Sequence, residues 1–381
     1  MKIALVHKRL DLSGGTERDL YRTAEGLRAL GHEIHLFCSE FSVAPPPGVA
    51  VHRVPTLPAG RTARLWSFAL LAPRSAARER CDLVVSFGRT LRQDVIRSGG
   101  GTHRAFLRSL GEEGGPARRC WQAVSVYHRS LLAVERRQFL SSRTGGIIAV
   151  SRRVARELTE IYGVASERIT VLYNGVDQER FHPSLRARWR RAVRLEWGIP
   201  EEAPLALFVG SGFRRKGLDR LIDAWAAPEL RRARLLVVGA DAGWAAYHRR
   251  AERLAPGRIV FTGRQQAVER FYAAADVLAH PALQEAFGNV VLEALASGLP
   301  VVVSRAVGAS EILAGALADG IVEEPADTTE LASKLALMLE RSADAALGGE
   351  ARELAERYSW ADHFAKLDAC LREVRRRVGA R

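Results

Sequence analysis

The chain has 381 residues, 47% hydrophobic and 26% charged, which suits two soluble globular domains and excludes a disordered polypeptide. Four widely spaced cysteines, Cys38, Cys81, Cys120 and Cys370, form no CxxC pair, excluding a zinc ribbon or disulfide scaffold. The formal net charge is +14, and residues 1–182 alone carry 28 basic against 17 acidic side chains.

The opening run Lys2–His7 reads as a buried first strand and not as a signal peptide. No stretch approaches the roughly 18–20 apolar residues that span a bilayer, so secreted and integral-membrane classes are not expected. A Ser-Gly-Gly loop at 13–15 follows. Residues 16–30 then place Leu20, Ala24, Leu27 and Leu30 on one helical face, with Gly31 as the stop. His32–Cys38, Asp82–Ser86, Gly146–Val150 and Ile169–Leu172 read as further strands. A second series comprises Leu205–Gly210, Leu235–Gly239, Ile259–Thr262, Val277–His280 and Val301–Ser304. Short β-rich runs alternating with helical patterns predict parallel sheets covered on both faces. The fold class is therefore α/β, with two doubly wound Rossmann-like domains in succession.

Asn174-Gly175 and His182-Pro183 are turn signals, followed by a polar, Arg-heavy stretch up to Pro204. They place the boundaries at 1–182, 183–358 and 359–381. The last segment is one helix over Trp360–Val378, with Phe364, Leu367, Leu371 and Val374 on a common stripe. Open α/β sheets bind ligands beyond the carboxyl ends of their strands, so four loops at strand ends are candidates.

The first, Leu12–Asp19, contains Gly14 and Gly15, which let backbone approach a ligand, and a helix start that attracts anions. Thr16-x-x-Asp19 is also a capping arrangement that needs no ligand. The second, Gly210-Ser211-Gly212-Phe213-Arg214-Arg215-Lys216-Gly217, sets glycines beside cations at a strand-to-helix turn, the makings of a diphosphate clamp. Basic turn residues can equally be solvated. The third, His280–Ala294, places Gly288 and Asn289 at a helix start. Glu285 lies before that start and Glu293 inside the helix, roughly 80° apart if the helix were continuous. Two such carboxylates contact different parts of one ligand, and Glu293, among Val291, Leu292 and Leu295, wants a partner. The fourth, Ser98–Arg104, joins three glycines to His103, which faces a substrate or is an incidental surface histidine.

A basic surface favours nucleic acid, anionic lipid headgroups or a phosphorylated substrate. Only five of the 57 basic residues are Lys; coding bias explains Arg over Lys but not the concentration of the excess in one half. With 7% aromatics and no stacking platform, nucleic acid is not an expected partner.

Together the loops resemble the retaining GT-B glycosyltransferases of the family 4 type. The marks are Gly14-Gly15-Thr16-Glu17, Asn174-Gly175-Val176-Asp177, Arg215-Lys216-Gly217, Glu285 and Glu293 with Phe287-Gly288-Asn289 between them, and Tyr358-Ser359-Trp360. More narrowly, Gly14-Gly15-x-x-Arg18-Asp19, Gly210-Ser211-x-Phe213-x-Arg215-Lys216-Gly217 and His280-Pro281-Ala282-x-Gln284-Glu285-Ala286 are similar to the lipopolysaccharide core glucosyltransferase I group. Asp94 and Gly99–Arg104 fit that group's acceptor side less closely.

The resemblance implies two Rossmann-like domains facing across a cleft, with the last helix packing back on the N-terminal domain. It implies a nucleotide-diphosphate sugar, a UDP-hexose such as UDP-glucose, bound mostly by the C-terminal domain. Arg215 and Lys216 would neutralise the leaving diphosphate. Glu293 would bind the ribose, and Glu285 with the backbone of Ala286, Phe287, Gly288 and Asn289 the donor sugar. Gly14, Gly15 and Gly210 would line the donor, Arg264 would approach the base, and Asp19 would sit near the reacting sugar. His103 would contact sugar or acceptor. No metal or other cofactor is implied, and the chain has no Asp-x-Asp. The implied acceptor is a lipopolysaccharide core heptose or similar phosphorylated glycolipid, met by a monomer in the cytoplasm at the inner-membrane surface. The Arg-rich stretch 89–143, with 11 Arg and 4 acidic residues, would lie near the headgroups. A nucleotide-sugar 2-epimerase of the same fold and a transferase for exopolysaccharide precursors are the alternatives.

Overall fold

The structure is a computed structural model that describes residues 1–12, 14–109, 115 and 124–379. Ser13, Cys120 and the remainder of the Arg-rich stretch between 110 and 123 lie outside the described residues. Two compact units divide the chain: Met1–Tyr173 with Trp360–Arg381, and Asn174–Ser359. The division falls ahead of the His182-Pro183 turn, because Val176 N–H donates to the Tyr358 carbonyl (2.9 Å) and Val176 bridges Ser359.

The first unit contains β1 (Lys2–Val6), β2 (Arg9–Leu10), β3 (Glu33–Cys38), β4 (Glu40–Phe41), β5 (Ala50–Arg53), β6 (Leu83–Ser86), β7 (Val95–Ser98), β8 (Gly146–Ala149) and β9 (Ile169–Val171). Seven of them form a parallel sheet in the order β5-β3-β1-β6-β7-β8-β9; β2 and β4 pair separately. Period-two geometry sends Ile3 and Leu5 into one apolar cluster and Ala4 and Val6 into another. Leu20, Ala24 and Leu27 of helix Gly15–Ala29 are buried in the first cluster, each contributing about 2 kcal/mol if fully buried, less for Ala. Leu30, expected on the same stripe, is 44% exposed because it is the C-cap. Helix Trp360–Gly379 adds Leu367, Leu371 and Val374 to this core. Its His32–Asp368 contact at 2.8 Å fixes the helix further.

The second unit contains β10 (Leu205–Val209), β11 (Arg234–Val238), β12 (Ile259–Gly263), β13 (Val277–His280), β14 (Val301–Ser304) and β15 (Ile321–Val322), parallel in the order β12-β11-β10-β13-β14-β15. Strand order reverses between β10 and β13, so the loops that leave them diverge and open a crevice at their carboxyl ends. The Arg-heavy stretch after His182 is the helix Leu185–Glu196. Arg186 and Arg190 reach Asp276 Oδ1 at 2.8 and 2.7 Å, and Arg194 reaches Oδ2 at 2.8 Å. Asp276 also accepts from the Leu205 N–H at 2.9 Å. Burial pushes the Asp276 carboxyl up, but these arginines outweigh it and the net direction is down.

A Cβ on Gly26 would stand 2.2 Å from Phe364 Cδ2, so the first helix and the last pack at a distance only glycine permits. Gly26→Ala is expected to cost about 1–3 kcal/mol as overpacking, measured by urea denaturation; an unchanged midpoint would show that the last helix shifts freely.

Candidate active site

The two loops at the switch point of the second unit converge on Glu285. Its Oε2 lies 2.6 Å from Arg215 Nη1, 3.6 Å from Lys216 Nζ and 3.9 Å from His280 Nε2. Arg215 Nη1 also donates to the Gln284 carbonyl at 2.9 Å, and the Leu283 N–H donates to the Arg215 carbonyl at 2.9 Å. Gly217 completes the contact: φ is +73°, and a Cβ there would stand 2.0 Å from the Pro281 carbonyl oxygen. Beyond Glu285 the loop is stitched to the segment after β14. The Glu285 N–H donates to Ala306 O (3.2 Å), Gly308 N–H to Glu285 O (3.1 Å) and Ala309 N–H to Phe287 O (2.7 Å).

Desolvation pushes the Glu285 carboxyl up, but the Lys216 ammonium and then the Arg215 guanidinium outweigh it, taking it from 4.5 to about 2. Glu285 is therefore ionised at neutral pH. His280 is fully buried, and burial, followed by Lys216, drives its imidazole down to about 3, leaving it neutral. Neither ring nitrogen has a hydrogen-bond partner. Two cations therefore face one carboxylate and a neutral ring, a local excess of positive charge suited to an anionic ligand.

Gly210 leads out of β10, and its missing Cβ is what lets the Lys216 side chain cross, since a Cβ would meet Lys216 Cδ at 2.7 Å. Phe213 N–H donates to Asp241 Oδ2 at 2.7 Å, tying this loop to the one after β11. Ala286 and Phe287 are buried. Gly288 is a left-handed N-cap to helix Asn289–Ala296, whose first N–H groups point outward, as at any helix start. Asn289 Oδ1 accepts from Asn174 Nδ2 at 2.7 Å. Glu293 has the partner that the sequence pattern demanded: Tyr272 OH donates to its Oε2 at 2.7 Å. Arg264, just beyond β12, is exposed.

In the first unit Gly14 is the N-cap of helix Gly15–Ala29 and no side chain caps it. Asp19 does not serve the expected capping arrangement; it is buried and pairs with Arg97 Nε at 3.0 Å. Its Oδ1 has no partner, and a Cβ on Gly99 would lie 3.7 Å from its Oδ2. Asp94 is committed to the sheet, accepting the Val84 N–H at 2.8 Å. His103 opens a helical turn whose N–H groups are held by Glu135, at 3.0 and 2.8 Å from the His103 nitrogen. Glu135 also takes Arg89 Nη2 and Tyr162 OH, both at 2.5 Å. The His103 ring stacks on His128, with Nε2···Nδ1 at 3.0 Å, and burial lowers its pKa to about 4. His103 is thus a neutral, partly buried imidazole, not an incidental surface residue.

The family model for Glycosyltransferase Family 4 matches residues 13–180, and that for Glycosyl transferases group 1 matches residues 203–341. The lipopolysaccharide glucosyltransferase WaaG of Escherichia coli K12 is 30% identical over 334 residues, covering 86% of this chain and 87% of that protein. The chain belongs to the GT-B glycosyltransferases. A crystal structure of WaaG superposes with a TM-score of 0.81 at 27% identity, covering 96% of this glycosyltransferase and 98% of WaaG. A D-inositol 3-phosphate glycosyltransferase of Xylanimonas cellulosilytica is 29% identical over 404 residues, covering 96% of this chain and 93% of its own. Anabaena HepE, solved in complex with UDP-glucose, shares the fold at a TM-score of 0.72 and 20% identity, over 98% of this chain and all of its own.

Of the residues expected at the donor site of this glycosyltransferase, Gly210, Arg215, Lys216 and Glu285 are brought together. Glu293 is anchored on Tyr272 and, as expected, is not paired with Glu285. The pattern missed His280 as a site member; its signal was a histidine ending a buried strand before proline. Tyr272 and Glu135, distant in sequence from the residues they hold, left no local signal.

The Glu285 carboxyl titrates lower folded than unfolded, so its ionised form stabilises the fold fully above about pH 4.5, and this is lost as pH falls toward 2. Glu285→Gln is expected to lower stability at pH 7 by roughly 1–3 kcal/mol, the deficit shrinking at pH 3. Denaturant titrations at both pH values measure it; a deficit that persists or grows in acid contradicts the ion-pair assignment.

Proposed function

We propose that this glycosyltransferase moves a hexose from a UDP-sugar, UDP-glucose or a close relative, to a heptose of the lipopolysaccharide core or a similar anionic envelope glycolipid. The observation that carries the proposal is the Arg215–Lys216 pair held on Glu285 at the switch point of the second sheet. A diphosphate leaving group develops negative charge as the glycosidic bond breaks. Fixed cations in a partly desolvated site stabilise that charge without reorganising. The relationship to WaaG and its name support the acceptor class, and HepE supports the donor class.

In this reading Arg215 and Lys216 neutralise the diphosphate, Glu293 holds the ribose and Arg264 approaches the base. Glu285, the neutral His280 and the backbone of Ala286–Asn289 bind hydroxyls of the sugar. The cations and the helix start replace a metal, so none is required. The anomeric configuration is retained, as in the family whose motifs the chain carries. Asp19 is assigned a place near the reacting sugar and His103 contact with sugar or acceptor, with Gly14 and Gly15 allowing close backbone approach to the donor. Attachment to the cytoplasmic face of the inner membrane is peripheral: no described helix is long and apolar enough to cross a membrane. Val124 and Val126, 70% and 66% exposed, stand within the basic stretch 89–143 and suit a headgroup region, where each surface cation contributes about 1 kcal/mol.

Transfer from labelled UDP-glucose to lipopolysaccharide core truncated at heptose tests the proposal. Glu285→Ala is expected to lose turnover by roughly 10²–10³, while Glu293→Ala raises the donor KM about tenfold with turnover largely kept. Negligible effects of both would overturn the site assignment. Donor conversion without acceptor and without net hydrolysis would instead identify an epimerase.

A further inference from the structure

A cluster in the first unit takes no part in this chemistry. Strands β3 and β5 run parallel at the sheet edge with Phe37 opposite His52, so His35 and His52 share one face of the sheet. His35 Nδ1 lies 2.8 Å from His52 Nε2. His35 Nε2 lies 2.8 Å from Glu33 Oε1. Glu79, the C-cap of helix Gly60–Arg78, brings Oε1 to 3.6 Å from His52 Nδ1. One ligand atom from each of His35, His52 and Glu79 falls within 4.8 Å of the others.

The rings are held in place. His35 is 6% exposed, and His52 stacks on Phe37 with centroids 4.4 Å apart and planes at 10°. The Glu33 carboxylate only accepts, so His35 Nε2 carries the proton and Nδ1 presents a lone pair toward His52, the orientation that outer carboxylates impose on metal-binding histidines. His52 must then donate from Nε2, and that shared proton occupies the position a cation would take.

The Lys2 ammonium sits 3.8 Å from Glu33 and 3.6 Å from Glu79, and the amino terminus also acts on Glu33. Two carboxylates and two cations leave no excess charge, so calcium or magnesium has little to recognise. Two imidazoles and a carboxylate instead match an ion of borderline softness, bound at about 2.0–2.2 Å with water completing a tetrahedron.

We propose that His35, His52 and Glu79 form a zinc-type metal site, ligating a divalent ion that staples edge strand β5 to the end of helix Gly60–Arg78. Glu33 opens β3 and Lys2 opens β1, so the carboxylate side of the cluster lies toward the amino ends of these strands. The role is structural, and on binding the shared proton passes from Nε2 of His52 to its Nδ1, the nitrogen on the Glu79 side, so that Nε2 ligates as a neutral donor.

The test is titration of the EDTA-dialysed full chain with Co²⁺, followed by visible absorption, and with Zn²⁺, followed by Tm. One equivalent should give the intense bands of four-coordinate Co²⁺, and Zn²⁺ should raise Tm. His35→Ala and His52→Ala should abolish the bands, Glu33→Gln should weaken affinity about 10–100-fold, and His248→Ala, on the other unit, should change nothing. Glu79→Gln, at a more exposed position, guards against misfolding of the histidine variants and should also weaken binding. Absence of the bands in wild type, or bands unchanged in His35→Ala, His52→Ala and Glu79→Gln, overturns the proposal.

Discussion

One carboxylate organises the second unit's ligand loops. Glu285 draws Arg215 and Lys216 out of the turn after β10 and holds them against the loop after β13. The backbone contacts around it depend on that pairing: Leu283 bonds back to Arg215, and Gly217 lies under the Pro281 carbonyl where no other residue fits. Without Glu285, two cations would sit beside a fully buried neutral histidine with no anion to offset them, an arrangement a protein interior tolerates poorly. With it, the loops are organised while the local charge stays positive. A diphosphate entering such a site meets charge already in place, which is the condition for electrostatic stabilisation without reorganisation.

The first unit uses the same device differently. Arg97, inside a central strand, is buried against Asp19, and Arg89 is drawn to the fully buried Glu135. Each of these arginines is paired with a buried carboxylate that offsets its charge. His363, on the last helix, bonds the Tyr173 carbonyl at 2.6 Å, and its pKa falls to about 4 through burial and then Arg97, with Asp19 opposing. Asp19 is buried, with one carboxylate oxygen unsatisfied. The remaining arginines of this unit outnumber its acids and leave the surface basic, the property that favours an anionic acceptor or membrane.

Much of the architecture was legible because buried parallel strands read as continuous apolar runs. β1, β10, β13 and β14 carry almost no polar residue, and the glycines and prolines at their ends mark the ligand loops. β7 was hidden by Arg97, whose charge is matched only by Asp19, far earlier in the chain. β5 was hidden because an edge strand has little to bury. The Arg-rich helix Leu185–Glu196 read as a linker because its buried partner, Asp276, is some 80–90 residues away. The site followed the same rule. Gly210, Arg215, Lys216 and Glu285 were legible because glycine and charge recur at strand ends. Tyr272, Glu135 and the neutrality of His280 were not, since each arises from tertiary contact or burial.

The central claim is that the Arg215–Lys216 pair receives a uridine diphosphate without help from a metal. Calorimetric titration of UDP, GDP and ADP in the presence of EDTA, into wild type and Lys216→Ala, addresses it directly. UDP should bind wild type in preference to the other two and bind the variant at least tenfold more weakly, about 1.4 kcal/mol. Equal binding of UDP to both proteins, or no nucleotide binding by either, would contradict it.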